Sequence, residues 1–201
     1  MFDSEFTRAI KVQVGKLLSW PAPPLEWAGH AVCVQSVGYL PNGACVVTGS
    51  NDHTIRIWDV ESGVVVGEPL TGHNGGVNSV AYSPDARHII SRSSNGTIQI
   101  WDSKTGTAVG DPLKGHTCKV TLVAYSPDGC HIISGSYDGT TRIWDAKTGA
   151  AVSNPLKGHT HKVTSIAYSP DGCHIISGSD KDIIQIWDAK TGVHQQKIFE
   201  L

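Results

Sequence analysis

The sequence predicts an all-β fold, a β-propeller of four blades, and two regularities lead to that prediction. The dipeptides Gly-His and Trp-Asp each occur four times, and both series advance by 43 residues without an insertion. Repeats of this length that contain Gly-His and then Trp-Asp are typical of propeller blades with four strands each. The Gly-His pairs begin at Gly29, Gly72, Gly115 and Gly158, and the Trp-Asp pairs at Trp58, Trp101, Trp144 and Trp187.

The second repeat shows the four expected strands of a blade. Residues 77–82 and 88–91 are rich in β-branched side chains, and each run ends at a turn containing Ser with Asp or Asn. Residues 97–101 alternate between apolar and polar side chains, as a half-buried strand does. A weaker outer strand is expected over residues 108–112, where a proline fits an edge position that needs no ladder donor.

The repeats divide the chain into a 28-residue leading segment and four blades. We expect residues 1–28 to be a linker or docking segment, with residues 10–14 as a strand on the side of the propeller. The blades are then residues 29–71, 72–114, 115–157 and 158–201. Residues 24–28 have the spacing of a fifth outer strand. Four standard blades leave two exposed edges, so we expect an incomplete arc, or half of a larger propeller made by a homodimer.

The repeats resemble those of the WD40 family over roughly 170 of the 201 residues. Copies that read GHTxxVTSxAYSPDGxxIISGSxDxTIRIWDAKTG are most similar to the C-terminal arrays of fungal NACHT-type signalling ATPases, which include heterokaryon-incompatibility proteins. Residues 6–12, with Gly15-Lys16 and Trp20-Pro21, also resemble the segment that joins the two modules there. No GxxxxGK[ST] motif is present, so the resemblance implies a recognition module without its ATPase.

The family resemblance also implies a hydrogen-bonded tetrad of His, Ser or Thr, Asp and Trp in each blade. The first and third blades carry complete sets: His30, Thr48, Asp52 and Trp58, then His116, Ser134, Asp138 and Trp144. The second carries His73, Ser91 and Trp101 with Asn95 at the Asp position, and the fourth His159, Ser177 and Trp187 with Lys181 there. Because lysine has no acceptor, the fourth tetrad is expected to be open or to use Asp180 or Asp182.

Serine, histidine and aspartate together also suggest a hydrolase, but a catalytic site is needed once, whereas this set recurs in every blade. No GxSxG elbow accompanies it. Seven of the ten histidines occupy repeat positions, so we expect no metal site, and the missing P-loop argues against a nucleotide cofactor. The sequence therefore predicts a protein that is not an enzyme and has no cofactor.

Composition excludes several further classes of function. The net charge is −2 and no basic run occurs, which argues against nucleic acid as a partner. No apolar stretch is long enough to span a membrane. The five cysteines are odd in number and lack CxxC spacing, which favours reduced thiols and a cytoplasmic location.

Comparison of the copies with each other indicates where a ligand binds. Residues 115–149 and 158–192 differ at nine of 35 positions, and the differences gather in the loop after Gly-His and in the tight turn before the Trp strand. Variable loops on a rigid frame are the usual place for binding sites. The candidate residues are Cys33, Gln35, Asn51, Asn78, Ser94, Lys119, Thr121, Tyr137, Lys162, Thr164 and Asp180, with Tyr137 as the best single anchor.

Three functions remain open at this stage. The first is a ligand-recognition propeller that binds a protein or peptide, like the sensor module of a fungal NACHT protein. The second is a free-standing adaptor that assembles a protein complex. The third, a propeller enzyme, is a remote alternative.

Overall fold

The computed structural model describes residues 26–181 and 183–199, which form fifteen strands and no helix. The order of the strands follows the chain. They are β1 (Val34–Tyr39), β2 (Cys45–Ser50), β3 (Ile55–Asp59), β4 (Val77–Tyr82), β5 (His88–Ser93), β6 (Ile98–Asp102), β7 (Ala108–Leu113), β8 (Val120–Tyr125), β9 (His131–Ser136), β10 (Thr140–Asp145), β11 (Leu156–Lys157), β12 (Val163–Tyr168), β13 (His174–Ser179), β14 (Ile183–Asp188) and β15 (His194–Phe199).

The strands form four antiparallel sheets, each a meander of consecutive strands, which confirms the predicted all-β blades. Strands β4–β7, β8–β11 and β12–β15 form three sheets of four strands. The first sheet contains β1–β3, and the place of its fourth strand is taken by two bridges, Ile55 to Leu70 and Trp58 to Val65. Outer strands are weaker than inner ones because Pro, Gly and polar residues interrupt them.

Each pair of neighbouring blades encloses an apolar core. Val77, Val120 and Val163 on the inner strands of the second, third and fourth blades are fully buried against the preceding blade. Glycine near the end of the second strand makes room for two of them: a Cβ on Gly49 would lie 2.6 Å from Val77, and one on Gly135 would lie 2.7 Å from Val163. The second blade has Arg92 at this position. Side chains at these glycines would therefore push the blades apart.

The two ends of the array expose faces that are buried between inner blades. Val37 on β1 is 67% exposed, whereas Val80 at the same place in the second blade is 5% exposed. Ile176 on β13 is 41% exposed, whereas its counterpart Ile133 is fully buried. The fold is thus the expected incomplete arc, because among the described residues nothing covers either end face as the inner faces are covered.

The leading segment is described only from residue 26 onward, so the predicted strand over residues 10–14 lies outside the described residues. A fifth outer strand was expected over residues 24–28. Its described residues, Glu26, Trp27 and Ala28, are not in a strand. Instead the ring of Trp27 stacks on Trp58, with 6.0 Å between ring centroids and 20° between planes. An indole buries more apolar area by stacking than by standing at a strand edge.

Candidate functional site

The third blade contains a chain of hydrogen bonds that runs through the predicted tetrad. The Trp144 indole N–H donates to the Ser134 hydroxyl at 2.8 Å, and that hydroxyl is 2.7 Å from His116 Nε2. His116 Nδ1 lies 2.9 Å from the Asp138 carboxylate. Since a carboxylate only accepts, Nδ1 carries the proton, and Nε2 accepts from the serine. Every polar group in this chain of hydrogen bonds therefore has a partner.

The first blade has the same arrangement with threonine in place of serine. Thr48 Oγ1 lies 2.8 Å from the Trp58 indole nitrogen and 2.7 Å from His30 Nε2. His30 Nδ1 lies 2.8 Å from Asp52. The carboxylate of Asp52 also accepts from the backbone N–H of Ala31, which ties the Gly-His loop to the tight turn.

The second blade replaces the missing aspartate through a threonine. Asn95 Oδ1 accepts from the Thr97 hydroxyl at 2.7 Å, and His73 Nδ1 lies 3.2 Å from that same hydroxyl. Because the Thr97 proton is used on Asn95, its oxygen accepts from the His73 N–H. His73 Nε2 and the Trp101 indole both bond Ser91 at 2.7 Å.

The fourth blade retains the inner part of the set. His159 Nε2 lies 2.7 Å from Ser177, and the Trp187 indole donates to the same hydroxyl at 2.9 Å. Lys181 is exposed, and its backbone N–H is 3.4 Å from Ser179 Oγ. Asp182 lies outside the described residues, while Asp180 is exposed on the loop surface.

Burial and bonding fix the charges of these groups. Burial raises the pKa of Asp138, but hydrogen bonds from Thr140, the Thr117 backbone and His116 outweigh it and hold that pKa at about 2. Burial lowers the pKa of His116 despite the neighbouring carboxylate. In the second blade burial lowers the pKa of His73 to about 4. His73 and His116 are therefore neutral at pH 7, and Asp138 is ionised.

The same geometry argues against a catalytic role for the serines. Ser91, Ser134 and Ser177 are fully buried, and each hydroxyl is engaged by both an indole and an imidazole. A nucleophile must reach a substrate carbonyl, which these oxygens cannot do without breaking the blade. The tetrads connect strands and hold the loops in place.

The loops at the Gly-His end form a continuous surface, called here the loop face. In every blade the residue before the first strand and the residue before the tight-turn Asp position are joined by a backbone hydrogen bond. The bonds are Asn51 N to Cys33 O (3.0 Å), Ser94 N to Gly76 O (2.8 Å), Tyr137 N to Lys119 O (2.9 Å) and Asp180 N to Lys162 O (3.2 Å). The predicted pairs of loop residues are thus brought together blade by blade.

The candidate residues at the second position of each blade's first strand lie in β-bulges at the same surface. The register of each first strand shifts between its first and third residues, so Gln35, Asn78, Thr121 and Thr164 are the extra residues. Bulges redirect side chains out of the regular alternation of a strand. Thr121 uses its hydroxyl within the blade, donating to the Gly135 carbonyl at 2.9 Å.

The row of loop residues continues from one blade to the next. Tyr137 is 41% exposed, with Lys119 Nζ 5.8 Å and Lys162 Nζ 4.6 Å from its ring centroid. Lys119 belongs to the same blade and Lys162 to the next, so the ring joins two blades by cation–π contacts. A groove of about 470 Å³ beside Lys119 is also lined by Ser94. Cys33 and Gln35 lie apart from this cluster, at the exposed leading end of the arc.

Sequence comparison overlooked one residue of the loop face, Arg92. It stands where the other three blades have Gly49, Gly135 and Gly178, and it is 8% exposed. Its Nη2 is 3.5 Å from the Asn78 carbonyl, and its Nε has no partner among the described residues. Burial lowers the pKa of the Arg92 guanidinium to about 10, so it stays charged at neutral pH. Comparison of the four repeats could have identified Arg92, because a single charged residue replaces a recurring glycine.

Other kinds of site are not found in the described part of the chain. No group of three His, Cys, Asp or Glu residues in residues 26–181 and 183–199 could hold a metal ion. Within the same ranges, no helix of the length and apolarity needed to cross a membrane occurs.

The repeats match the family model for the WD domain, G-beta repeat, over residues 22–59, 64–102, 107–145 and 151–188. Curated relatives include a Lissencephaly-1 homolog of Dictyostelium discoideum (41% identical over 51 residues) and the nuclear distribution protein PAC1 of Candida tropicalis (36% over 55 residues). A ribosome biogenesis protein BOP1 homolog of Monosiga brevicollis is 43% identical over 42 residues. These alignments cover 24%, 25% and 21% of this chain but only 12%, 11% and 5% of the relatives.

Proposed function

Because the chain belongs to the WD domain, G-beta repeat family, we propose that it is a non-catalytic interaction module that holds a protein or peptide ligand on its loop face. Proteins of this family act as protein-interaction scaffolds and are generally non-catalytic. The buried serines of the tetrads support a module without hydrolase activity, because no substrate can reach them.

The observation that carries this proposal is the exposed row of unlike side chains around Tyr137. The backbone beneath it is fixed by the tetrads and by the loop-to-turn hydrogen bonds, so the ring is held in place before a ligand arrives. A rigid aromatic side chain with charged neighbours is typical of an interface hot spot, because it loses little entropy on binding.

Selection of binders from a random peptide library, with the purified chain as bait, tests the proposal. We expect selected peptides to bind Tyr137→Ala at least about tenfold more weakly. Lys147→Ala, which alters the turn at the opposite end of the third blade, should leave their affinity unchanged. Peptides that bind both variants as well as the wild type would place the ligand elsewhere and refute the proposal.

We further propose that the module is the sensor part of a fungal NACHT-type signalling protein and acts in the cytoplasm. The repeat sequence GHTxxVTSxAYSPDG and residues 6–12 support this assignment by their resemblance to that family. The alternative is a free-standing adaptor, and neither needs nucleic acid. Sequencing of the full transcript distinguishes them, since an upstream nucleotide-binding domain supports the sensor and a reading frame without one supports the adaptor.

We also propose that two copies pack end to end, so that the trailing face of one covers the leading face of the other. The trailing face has the same glycine that receives the next blade elsewhere. Among the described residues a Cβ on Gly178 would meet Ser165 alone, at 3.7 Å, whereas one on Gly49 would meet Val77 at 2.6 Å. A hollow of about 620 Å³ beside it is lined by Ile176 and other residues of the fourth blade. The leading face supplies Val34 and Val37, the exposed counterparts of Val77 and Val80, which both lie against Gly49.

Light scattering tests this assembly. Two chains of 21.4 kDa that close both interfaces make eight blades, a number within the usual range for propellers. We expect a dimer mass for the wild-type chain and a monomer mass for Val37→Asp, whereas Val64→Asp, at an exposed position on the outer edge, should leave the dimer intact. A wild-type monomer at tens of micromolar, or an open polymer, would refute the closed pair.

A further inference from the structure

Arg92 is the least expected residue on the loop face. A buried charge is costly unless it is paired, and arginine stays charged at every physiological pH. Within the described residues no carboxylate oxygen lies within 4 Å of its nitrogens. The other three blades show that glycine suffices for folding at this place. The arginine therefore adds a charge that the blade does not need for its own stability.

Asn78 holds the arginine in position. When the Asn78 amide is oriented so that both of its ends are bonded, its oxygen accepts from Arg92 Nη1 at 3.3 Å and its nitrogen donates to the Gly76 carbonyl at 3.2 Å. The Asn78 backbone carbonyl accepts a hydrogen bond from the other terminal nitrogen, Arg92 Nη2, at 3.5 Å. A guanidinium has five N–H donors, and within residues 26–181 and 183–199 two of them are used, both on neutral partners. Its positive charge is left uncompensated.

Two more cations lie across the same surface. Lys119 and Lys162 are exposed, and both approach the ring of Tyr137 rather than a carboxylate. Asp180 is bonded to Lys162 through the backbone, but its carboxylate is not within 4 Å of that lysine among the described residues. Charges of one sign beside a low-dielectric wall concentrate the field in the space between them. Arg92 is also near enough to Tyr137 for the two side chains to interact electrostatically, so the three cations are arranged around one ring.

We propose that this part of the loop face is an oxyanion-binding subsite, in which Arg92, Lys119 and Lys162 receive a carboxylate or phosphate of the bound peptide beside the Tyr137 ring. This inference rests on the proposed function and specifies its ligand. A guanidinium with spare parallel donors suits a two-oxygen anion, and the lysines add charge without fixed geometry. A peptide suits this surface better than a nucleic acid backbone, because the three cations are arranged around one ring rather than along a track.

Fluorescence anisotropy with three labelled probes tests the subsite. The probes are a glutamate hexapeptide, a glycine-rich heptapeptide with one phosphoserine, and a neutral glutamine hexapeptide. We expect one or both acidic probes to bind and the neutral probe not to bind. The stronger acidic probe identifies the source of the oxyanion. Affinity should fall when sodium chloride is raised from about 50 to about 200 mM, because exposed charges are screened over a shorter distance.

Variants locate the binding. Arg92→Gly, which restores the residue of the other blades, should raise the Kd of the acidic probe about tenfold or more. The exposed pair Lys119→Gln with Lys162→Gln should raise it about tenfold, so the result does not depend on how the Arg92 variant folds. Lys104→Gln with Lys147→Gln removes the same charge from turns at the opposite end of the blades and should change nothing.

Some results would overturn the subsite while leaving the proposed function intact. Library-selected peptides that need Tyr137 but are insensitive to Arg92→Gly, to the lysine pair and to salt would show recognition without an anion. Failure of both acidic probes to bind at millimolar concentration would have the same meaning. Tighter binding of a single-stranded oligonucleotide than of either acidic peptide would refute the peptide assignment.

Discussion

Removal of the Ser134 hydroxyl should reveal how much a single tetrad contributes to stability. In the Ser134→Ala variant the Trp144 indole N–H loses its acceptor, now at 2.8 Å, and His116 Nε2 loses its donor, now at 2.7 Å. Both groups are buried, and an unsatisfied buried polar group costs about 1–3 kcal/mol. The expected loss in the free energy of unfolding is therefore about 2–6 kcal/mol, measured by urea denaturation with tryptophan fluorescence.

The matched control is Ser134→Thr, because the first blade already uses Thr48 for the same two bonds at nearly the same distances. We expect this variant to lose less than about 1 kcal/mol. If Ser134→Ala also loses less than about 1 kcal/mol, the bonds are not what holds the blade together. If both variants lose equally, the cost lies in packing around residue 134, and the reasoning from hydrogen bonds is refuted.

Three further outcomes are expected from the same denaturation assay. Trp144→Ala removes a side chain that is 2% exposed and should cost about 3–5 kcal/mol; a loss under about 1.5 would mean that the blade collapses around the cavity. His73 is buried and its pKa is lowered to about 4, so the folded chain binds fewer protons than the unfolded one. The contribution of neutral His73 to the free energy of unfolding is complete above about pH 6.5 and is lost as the pH falls toward 4, by up to about 3 kcal/mol. A free energy of unfolding that does not change over this pH range would contradict the assignment. Val80→Ala should cost about 2 kcal/mol and Val37→Ala, measured at a concentration where no dimer forms, less than about 0.5, since the two are 5% and 67% exposed; equal losses would argue against an open leading face.

The sequence was sufficient for the blades because the repeat supplies four independent copies of the same pattern. Each copy has the alternation, the turn residues and the Trp-Asp end at matching places, so local preferences agree with the fold at every strand. The outer strands were less well predicted. The fourth strand of the first blade is reduced to bridges at Val65 and Leu70, although Gly106 and Gly110 of the second blade have the same positive φ as Gly63 and Gly67 and β7 forms there.

The loop residues were predictable as positions but not as an arrangement. Comparison of copies located Tyr137 and both lysines, yet their approach across the boundary of two blades depends on how far the blades turn relative to each other. The contact of Thr97 with His73 was not predicted, although the same threonine recurs as Thr54 and Thr140, whose hydroxyls lie 3.3 Å from Nδ1 of His30 and His116. Arg92 was missed because the search was for variable loops, and this residue ends a strand.

The interchangeable faces between blades also bear on how such an array changes over generations. Two of the three joints are made by a valine-and-glycine fit, the joint after the second blade has Arg92 in place of the glycine, and the two free ends carry the two halves of the fit. Insertion or loss of one whole 43-residue unit would therefore leave every remaining joint matched, so recombination between copies would be tolerated where most insertions into a core are not. The third and fourth copies differ at only nine of 35 positions, which is what a recent duplication would leave. Four of those differences, at positions 118 and 137–139, fall in loops, so the ligand-binding surface can diversify while the blades are inherited unchanged.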